Sequence, residues 1–543
     1  MVFSSIKQPH MKFKYLLGLC LLFSCGLYAQ DDYRNEQEVT TALKSIAASK
    51  GAQLKSLAKT ASGKDIWMLT LSDGAPEDHP GIAIMGGVQG DQLLGTELAL
   101  KMAERILKDH SEMLKKTSFY IFPNLSPDAT GQYFSSLKYA RQGNSVSTDD
   151  DRDGKLGEDP FEDLNGDGII TMMRIQDATG EYKMLEDDER VMVKADANKG
   201  DRGSYKLLTE GKDNDKDGHF NEDGEGGVHF NKNFTFGFPY FEKGAGEHPI
   251  SQIEHRALLD YLYTQWNIYA ILTFSNENNL SKPLKYNKGD ASKRVITSIL
   301  ENDAKLNEML SEIYNKSIPA DDAPEDHGSG GSAFEWSYFH FGRLAMSTPG
   351  WWPKKAKGDS INKAPKDKQA NFLRYAEEEG MKDVFIPWEE VQHPDFPNHK
   401  VEVGGIHPFA LTHPPYSLVD SIAIKHTDFI LKVAQMQPEL QLVNLKQDKV
   451  DSNLTRITVD LHNNGLLPTH TEMGDKSRWL RKINVYMKVN GNQQIISGKG
   501  RQVIEKLDGD GIIQLSWLVQ GSGKVTVEAT APQAGTAIQT INL

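Results

Sequence analysis

Apolar residues along this chain recur with two different periods, and the place where one gives way to the other divides it. From residue 33 to about 140, helical and extended patterns alternate. A helical repeat covers 36–50, and short apolar runs fall at Asp65–Leu71, Gly81–Met85 and Ser118–Phe122. Leu94, Leu98, Met102 and Ile106 stand four apart, which predicts a helix over 93–109. The alternation returns with a helix near 250–265, a strand at Ile268–Phe274, a helix near 290–315, a strand at 344–347 and an amphipathic helix over 417–436. Strands separated by helices predict an α/β domain, here a mixed-sheet α/β/α arrangement. Two stretches break the pattern. Residues 145–230 are rich in Gly and Asp with little apolar periodicity, and 352–415, rich in Pro, Lys, Glu and His, are expected to be mostly loop.

After Pro438 the period becomes two. Alternating runs at 454–461, 483–489, 512–517 and 524–529 are separated by turn signals such as Asn463-Asn464-Gly465 and Asn490-Gly491. Short, regularly spaced strands predict a C-terminal all-β sandwich of about a hundred residues. The expected organisation is a domain over 33–436, with an acidic insertion at 145–230, followed by a sandwich over 437–543.

A length of 543 residues agrees with more than one domain. The formal net charge of −14 argues against nucleic acid held on a broad basic surface. At the N-terminus, Lys12 and Lys14 precede an apolar run over 15–23, then small residues up to Ala29 and Gln30. That order predicts a cleaved export signal over 1–30, since the run is short for a bilayer span. No later segment is apolar enough to cross a membrane. The two cysteines, Cys20 and Cys25, both lie in this segment, so the processed chain carries no disulfide. Leu22-Phe23-Ser24-Cys25 leaves a lipid anchor at Cys25 as the alternative. The expected location is periplasmic or extracellular.

Chemistry concentrates after the Gly81–Met85 strand, in Gly86-Gly87-Val88-Gln89-Gly90-Asp91-Gln92. Three further segments follow in order: Phe122-Pro123-Asn124-Leu125-Ser126-Pro127-Asp128-Ala129, then Phe230-Asn231-Lys232-Asn233-Phe234, then Ser329-Gly330-Gly331-Ser332-Ala333-Phe334-Glu335-Trp336-Ser337-Tyr338. Each resembles a segment of the zinc carboxypeptidase (carboxypeptidase A-like, funnelin) family. The family's counterparts are a strand–turn–helix carrying a His and a Glu, an Asn-Pro-Asp-Gly turn, a Leu-Asn-Arg-Asn-Phe segment, and a Ser-Gly-Gly-Ser…Asp-Trp-Ser-Tyr segment. The likeness covers most of 35–436.

The resemblance implies zinc held by that His and Glu and by a second His after a later strand, polarising the scissile carbonyl and activating water. In this sequence those places are Gln89, Gln92 and Ser275. The family's general base falls on Pro349, which has no proton-accepting side chain. The Arg that grips the substrate carboxylate corresponds to Lys232, beside Asn231, and Arg141 stands where an oxyanion-stabilising Arg is expected. The family's mobile Tyr falls near Asp326 or His327. Neutral Gln and Ser are poor zinc donors, so Zn²⁺, though implied by the resemblance, is not expected here. The plainer roles are turn hydrogen bonds for Gln89 and Gln92 and a strand-end turn for Ser275. Asp91 and Glu97 are the nearby acids that an altered metal site could use, with Glu97 read as an exposed helix carboxylate.

The acidic insertion carries a separate signal. Asp149, Asp151 and Asp153 precede Gly154; Asp163, Asn165 and Asp167 precede Gly168; Asp213, Asp215 and Asp217 precede Gly218. Oxygen ligands at alternate positions before a glycine suit Ca²⁺. The twelfth positions are Pro160, Arg174 and Gly224, which excludes EF-hands. Glu158 with Asp159, and Glu222 with Asp223, supply later acidic pairs. At least one structural Ca²⁺ is expected.

The functional expectation is an exported pseudopeptidase that binds peptide or cell-wall fragments, with Asn231 and Lys232 gripping a carboxylate. The alternatives are an active metallocarboxypeptidase with an altered metal site, and a surface adhesion or glycan-binding protein acting through the sandwich.

Overall fold

The computed structural model describes residues 32–149, 154–157, 159–221, 227–358 and 364–543. The segment expected to be an export signal, with Cys25, and Asp151, Asp153, Glu158, Glu222 and Asp223 lie outside the described residues. Among the described residues no helix is long and apolar enough to cross a membrane.

In chain order the α/β region places strands β1 Ala52–Lys59, β2 Asp65–Leu71, β3 Gly81–Met85 and β4 Ser118–Phe122. Then come β5 Met172–Gln176, β6 Tyr182–Leu185, β7 Asp188–Lys194 and β8 Tyr205–Thr209, followed by β9 Ile268–Phe274, β10 Leu344–Thr348, β11 Phe385–Val391 and β12 Val401–Ile406. The central six-stranded sheet has the order β1-β2-β4-β3-β9-β10. The last four run parallel, and β1 and β2 close one side antiparallel. Strands β3, β4, β9 and β10 are buried on both faces, which is why they read as unbroken apolar runs. Alternation sends Ile82 and Ile84 toward Leu98, Met102 and Phe429 on one side, and Ala83 and Met85 toward Phe122, Leu258 and Trp336 on the other. The mixed α/β sheet thus has helices against both faces, as the periodicity predicts.

The two stretches without clear periodicity differ from the expectation. Strands β5 to β8 of the acidic insertion pair with β11 and β12 in a second six-stranded antiparallel sheet of order β11-β12-β5-β8-β6-β7. The supposed loop at 352–415 also contributes the helix Lys368–Glu378. Arg174 of β5 and Glu402 of β12 join at 2.8 Å, with the Arg174 guanidinium 4.5 Å from the Trp388 ring.

The C-terminal strands are β13 Leu440–Asp451, β14 Leu454–Asn463, β15 Ile483–Lys488, β16 Gln494–Ser497, β17 Arg501–Ile504, β18 Ile512–Gln520, β19 Lys524–Ala531 and β20 Gly535–Asn542. They form sheets β13-β14-β18-β16 and β17-β15-β19-β20, packed over Ile457, Val485, Trp517 and Val527. This is the expected β-sandwich. It is fastened to the α/β region by polar contacts: Asp303 accepts from the Glu472 and Met473 amides, and Arg343 donates to Trp479 O at 2.6 Å. Trp479 lies 4.0 Å from the Tyr263 ring, so it belongs to this junction and Trp517 to the sandwich core.

Candidate functional site

Strands β3, β9 and β10 are parallel neighbours, so their carboxyl ends open at one edge of the sheet. That edge is where α/β sheets present ligand-binding loops. After β3 the chain turns tightly. A Cβ on Gly86 would stand 2.5 Å from both Gly95 O and Pro123 O, so only glycine lets the turn pack between helix and neighbouring loop. Gln92 N donates to Gln89 O, which closes the turn. Gln92 Nε2 donates to Asn276 Oδ1 at 2.5 Å. A pocket of about 120 Å³ opens here, bordered by Gln89, Gln142, Lys232, Asn276, Glu277 and Asp326.

Of the positions aligned with the zinc ligands, Gln89 lines the pocket and Gln92 reaches Asn276 at its mouth. Ser275 does not face the mouth. It is fully buried and donates its Oγ to Glu277, with Ser347 Oγ 3.0 Å away. Side-chain alternation at the strand end turns Ser275 inward and exposes Asn276 instead. Pro349 follows β10 but does not line the pocket.

Along one wall of the pocket lies a buried carboxyl network that the sequence did not reveal. Glu277 Oε1 accepts from Asn231 Nδ2 at 2.9 Å, and Asn231 Oδ1 accepts from Ala333 N at 3.0 Å. Both ends of the Asn231 amide are therefore engaged inside the protein. Asn231 lines the pocket and ties the loop after β9 to the start of the Ala333–Phe339 helix. Glu335 Oε2 accepts from Gly330 N and Ser332 Oγ. Burial pushes the Glu335 carboxyl up to about 7, and the nearby Glu277 adds to the rise. Burial also raises Glu277, against the hydrogen bonds from Ser275 and Asn231.

Lys232 lines the pocket with its side chain 30% exposed. Its Nζ donates to Lys243 O at 3.3 Å and stands 3.6 Å from Glu242. His229, also in the pocket wall, has a buried Nδ1 without a hydrogen-bond partner among the described residues. Burial, with Lys232 and Lys243 nearby, lowers its pKa to about 4, so it is neutral at ordinary pH. Asp91 Oδ2 accepts from Gln142 Nε2 at 3.1 Å, and burial raises the Asp91 pKa.

Two residues take other roles than expected. Arg141 is buried and donates to Gly143 O, Asn144 O and Ser145 Oγ. It shapes its own loop and does not line the pocket. Glu97 is not an exposed helix carboxylate: it is buried, joined to Arg34 at 2.5 Å and to Tyr416 Oη at 3.1 Å.

In the acidic insertion, the loop at 163–168 is closed on itself. Asp163 accepts from the Gly166 and Gly168 amides, Asn165 from Asp167 N, and Asp167 from Ile169 N. Asp159 is buried, and both its oxygens accept amide N–H groups from Asn214 and Asn221. Asp159 therefore organises the loop at 213–221. Asp149 Oδ2 accepts from Gly154 N. Among the described residues, the one group of three or more His, Cys, Asp or Glu side chains with ligand atoms within 4.8 Å is Asp213, Asp215 and Asp217.

Residues 39–163 match the family model described as zinc carboxypeptidase. Residues 439–542 match that of a domain of unknown function. Carboxypeptidase SOL1 of Arabidopsis thaliana is 28% identical over 144 residues, which cover 24% of this chain and 28% of that protein. The chain thus spans little more than a quarter of the length of that relative. Among solved structures, carboxypeptidase A from Helicoverpa armigera aligns over 64% of this chain and 71% of its own, at 12% identity and a TM-score of 0.36. Bovine thrombin-activatable fibrinolysis inhibitor, in complex with tick carboxypeptidase inhibitor, aligns over 74% and 97%, at 11% identity and a TM-score of 0.35. The family match spans β1 to β4 and the Gln89–Gln92 turn, so the likeness carried by those segments is to zinc carboxypeptidases.

Proposed function

We propose that this protein binds peptides without hydrolysing them, as an exported pseudopeptidase of carboxypeptidase-like fold. The observation that carries this reading is the mouth itself: Gln89 and Gln92 stand where the resemblance calls for metal donors, and Asn276, next to the buried Ser275 that the resemblance aligns with the third, joins them there. Amide oxygens are neutral and compete poorly with water for Zn²⁺, which favours imidazole, thiolate and carboxylate. These residues do not fit the metal. Amides do fit a peptide, because each offers both donors and an acceptor to main-chain groups. Lys232, part-exposed in the wall, is the cation available to a terminal carboxylate. Export rests on the basic, apolar and small-residue order of residues 12–30.

The test pairs metal analysis with N-blocked peptides bearing free carboxyl termini. Purified protein should hold substoichiometric zinc and retain such peptides intact. Stoichiometric zinc, together with chelator-sensitive release of the terminal amino acid, overturns the reading in favour of an active metallocarboxypeptidase.

Calcium is proposed as a structural ion of the 213–218 loop. What supports it is the convergence of Asp213, Asp215 and Asp217, with Asp213 Oδ1 buried and without a hydrogen-bond partner among the described residues. At a hundredfold excess over Kd, such an ion adds about 2.7 kcal/mol to the folded state. Chelation should therefore lower Tm by a few degrees, and Asp213→Asn should abolish the response. An unchanged melting curve on chelation of the parent protein removes calcium from this loop.

A further inference from the structure

The turn over 238–244 carries two aromatic side chains on the surface: Tyr240 is 63% exposed and Phe241 80%. Phe241 is also held at φ +69°, a left-handed conformation that bulky L-residues rarely adopt. A large apolar side chain in strained backbone and open to water contributes little to folding.

The turn is fixed to both walls of the pocket. On one side, Lys232 donates to Lys243 O and stands beside Glu242, while His229 N donates to Gly244 O. A Cβ on Gly244 would meet the His229 ring at 2.4 Å, so turn and ring are in close contact. On the other side, Gly331 N donates to Phe236 O at 2.7 Å, and a Cβ on Gly330 would stand 2.1 Å from Gly237 O. The adjoining Gly328 and Ser329 line the pocket. The turn itself is closed by the Glu242 N to Pro239 O bond. Phe238, buried beneath, meets the Tyr240 ring edge-on at 4.8 Å and 84° and holds it in place.

We propose that Tyr240 and Phe241 form an aromatic platform that receives the side chain of the ligand residue next to the one held in the pocket. This rests on the peptide-binding reading above and names the residue class that the site selects. Tyr240 and Phe241 do not line the pocket themselves, so a peptide residue that meets them is one held outside it. The platform favours an aromatic or branched apolar side chain there, because ring stacking and apolar burial both reward it. An extended peptide is the occupant to which the site commits, since the amide-lined mouth and Lys232 serve main-chain and carboxylate groups.

The experiment uses the full chain, immobilised, and an N-acetylated tetrapeptide library with free carboxyl termini, randomised at its last two positions. The parent protein should enrich aromatic and branched apolar residues at the penultimate position. Tyr240→Ser/Phe241→Gly should bind the best such peptide about tenfold more weakly, the equivalent of about 1.4 kcal/mol. Its preference at the last position should persist. Phe241→Gly relieves the backbone, so Tm should hold or rise, and Tyr240→Ser alone reports the platform if it does not. Peptides retained with equal penultimate enrichment by parent and double variant overturn the platform and leave peptide binding intact. No peptide retained by the parent protein overturns both. Retention of chitotetraose by the parent and its loss in the variant reassigns the platform to sugar rings and overturns the peptide proposal.

Discussion

Protein carrying Gln89→His, Gln92→Glu and Asn276→His is expected to take up about one equivalent of zinc, where the parent retains only background amounts. The effect is large because the scaffold already brings these side chains together. Gln92 Nε2 and Asn276 Oδ1 are 2.5 Å apart, and Gln89 borders the same pocket. Two imidazoles and a carboxylate then supply the three protein donors that an open zinc site uses. Asn276 is the right third position because it is exposed at the mouth. A His at Ser275 would have to displace the buried contacts to Glu277 and Ser347. Metal content after gel filtration is the readout, with Tm confirming that the variant is folded. A folded triple variant without zinc shows that the mouth does not have the assigned geometry.

Replacing Asn231 with Ala should cost about 3–4 kcal/mol of unfolding free energy, from two lost partners in a buried setting. The substitution leaves Glu277 with one donor fewer and Ala333 N without its acceptor, both away from water. Urea unfolding should show a lower midpoint at unchanged slope. Lys232→Met gives the contrast one residue away. That side chain is part-exposed with one weak ion pair, so stability should change by less than about 1 kcal/mol while peptide retention falls. Asn231→Ala with undiminished stability contradicts the assignment of Asn231 as an internal clip.

The central sheet was legible because strands buried on both faces leave continuous apolar runs, and the helix over 94–109 because its buried stripe repeats. The sandwich was legible through alternation and turn residues. The second sheet was not. Its strands are mostly half-buried, as the evenly intermediate exposure of β8 shows, and its pairing joins segments far apart in the chain. Within the site, the turn at Gln89 and Gln92 could be found from glycine spacing after an apolar strand. That Asn276 and not Ser275 meets Gln92 depends on which face the strand end presents. The roles of Asn231, Arg141 and Glu97 depend on partners that sequence spacing does not show. Glu277 left one faint sign, an acidic residue just beyond a fully apolar strand.

Arg174 and Glu402 stand 228 positions apart, yet they clasp neighbouring strands of the second sheet. Synthesised at about 5–20 residues per second, the chain presents β5 roughly 10–45 s before its partner β12 exists. During that interval the edge that β12 will cover is open to pairing with any extended segment nearby. A nascent chain of this protein therefore has a built-in period of vulnerability to mispairing, and a binder of exposed strand edges would raise its yield.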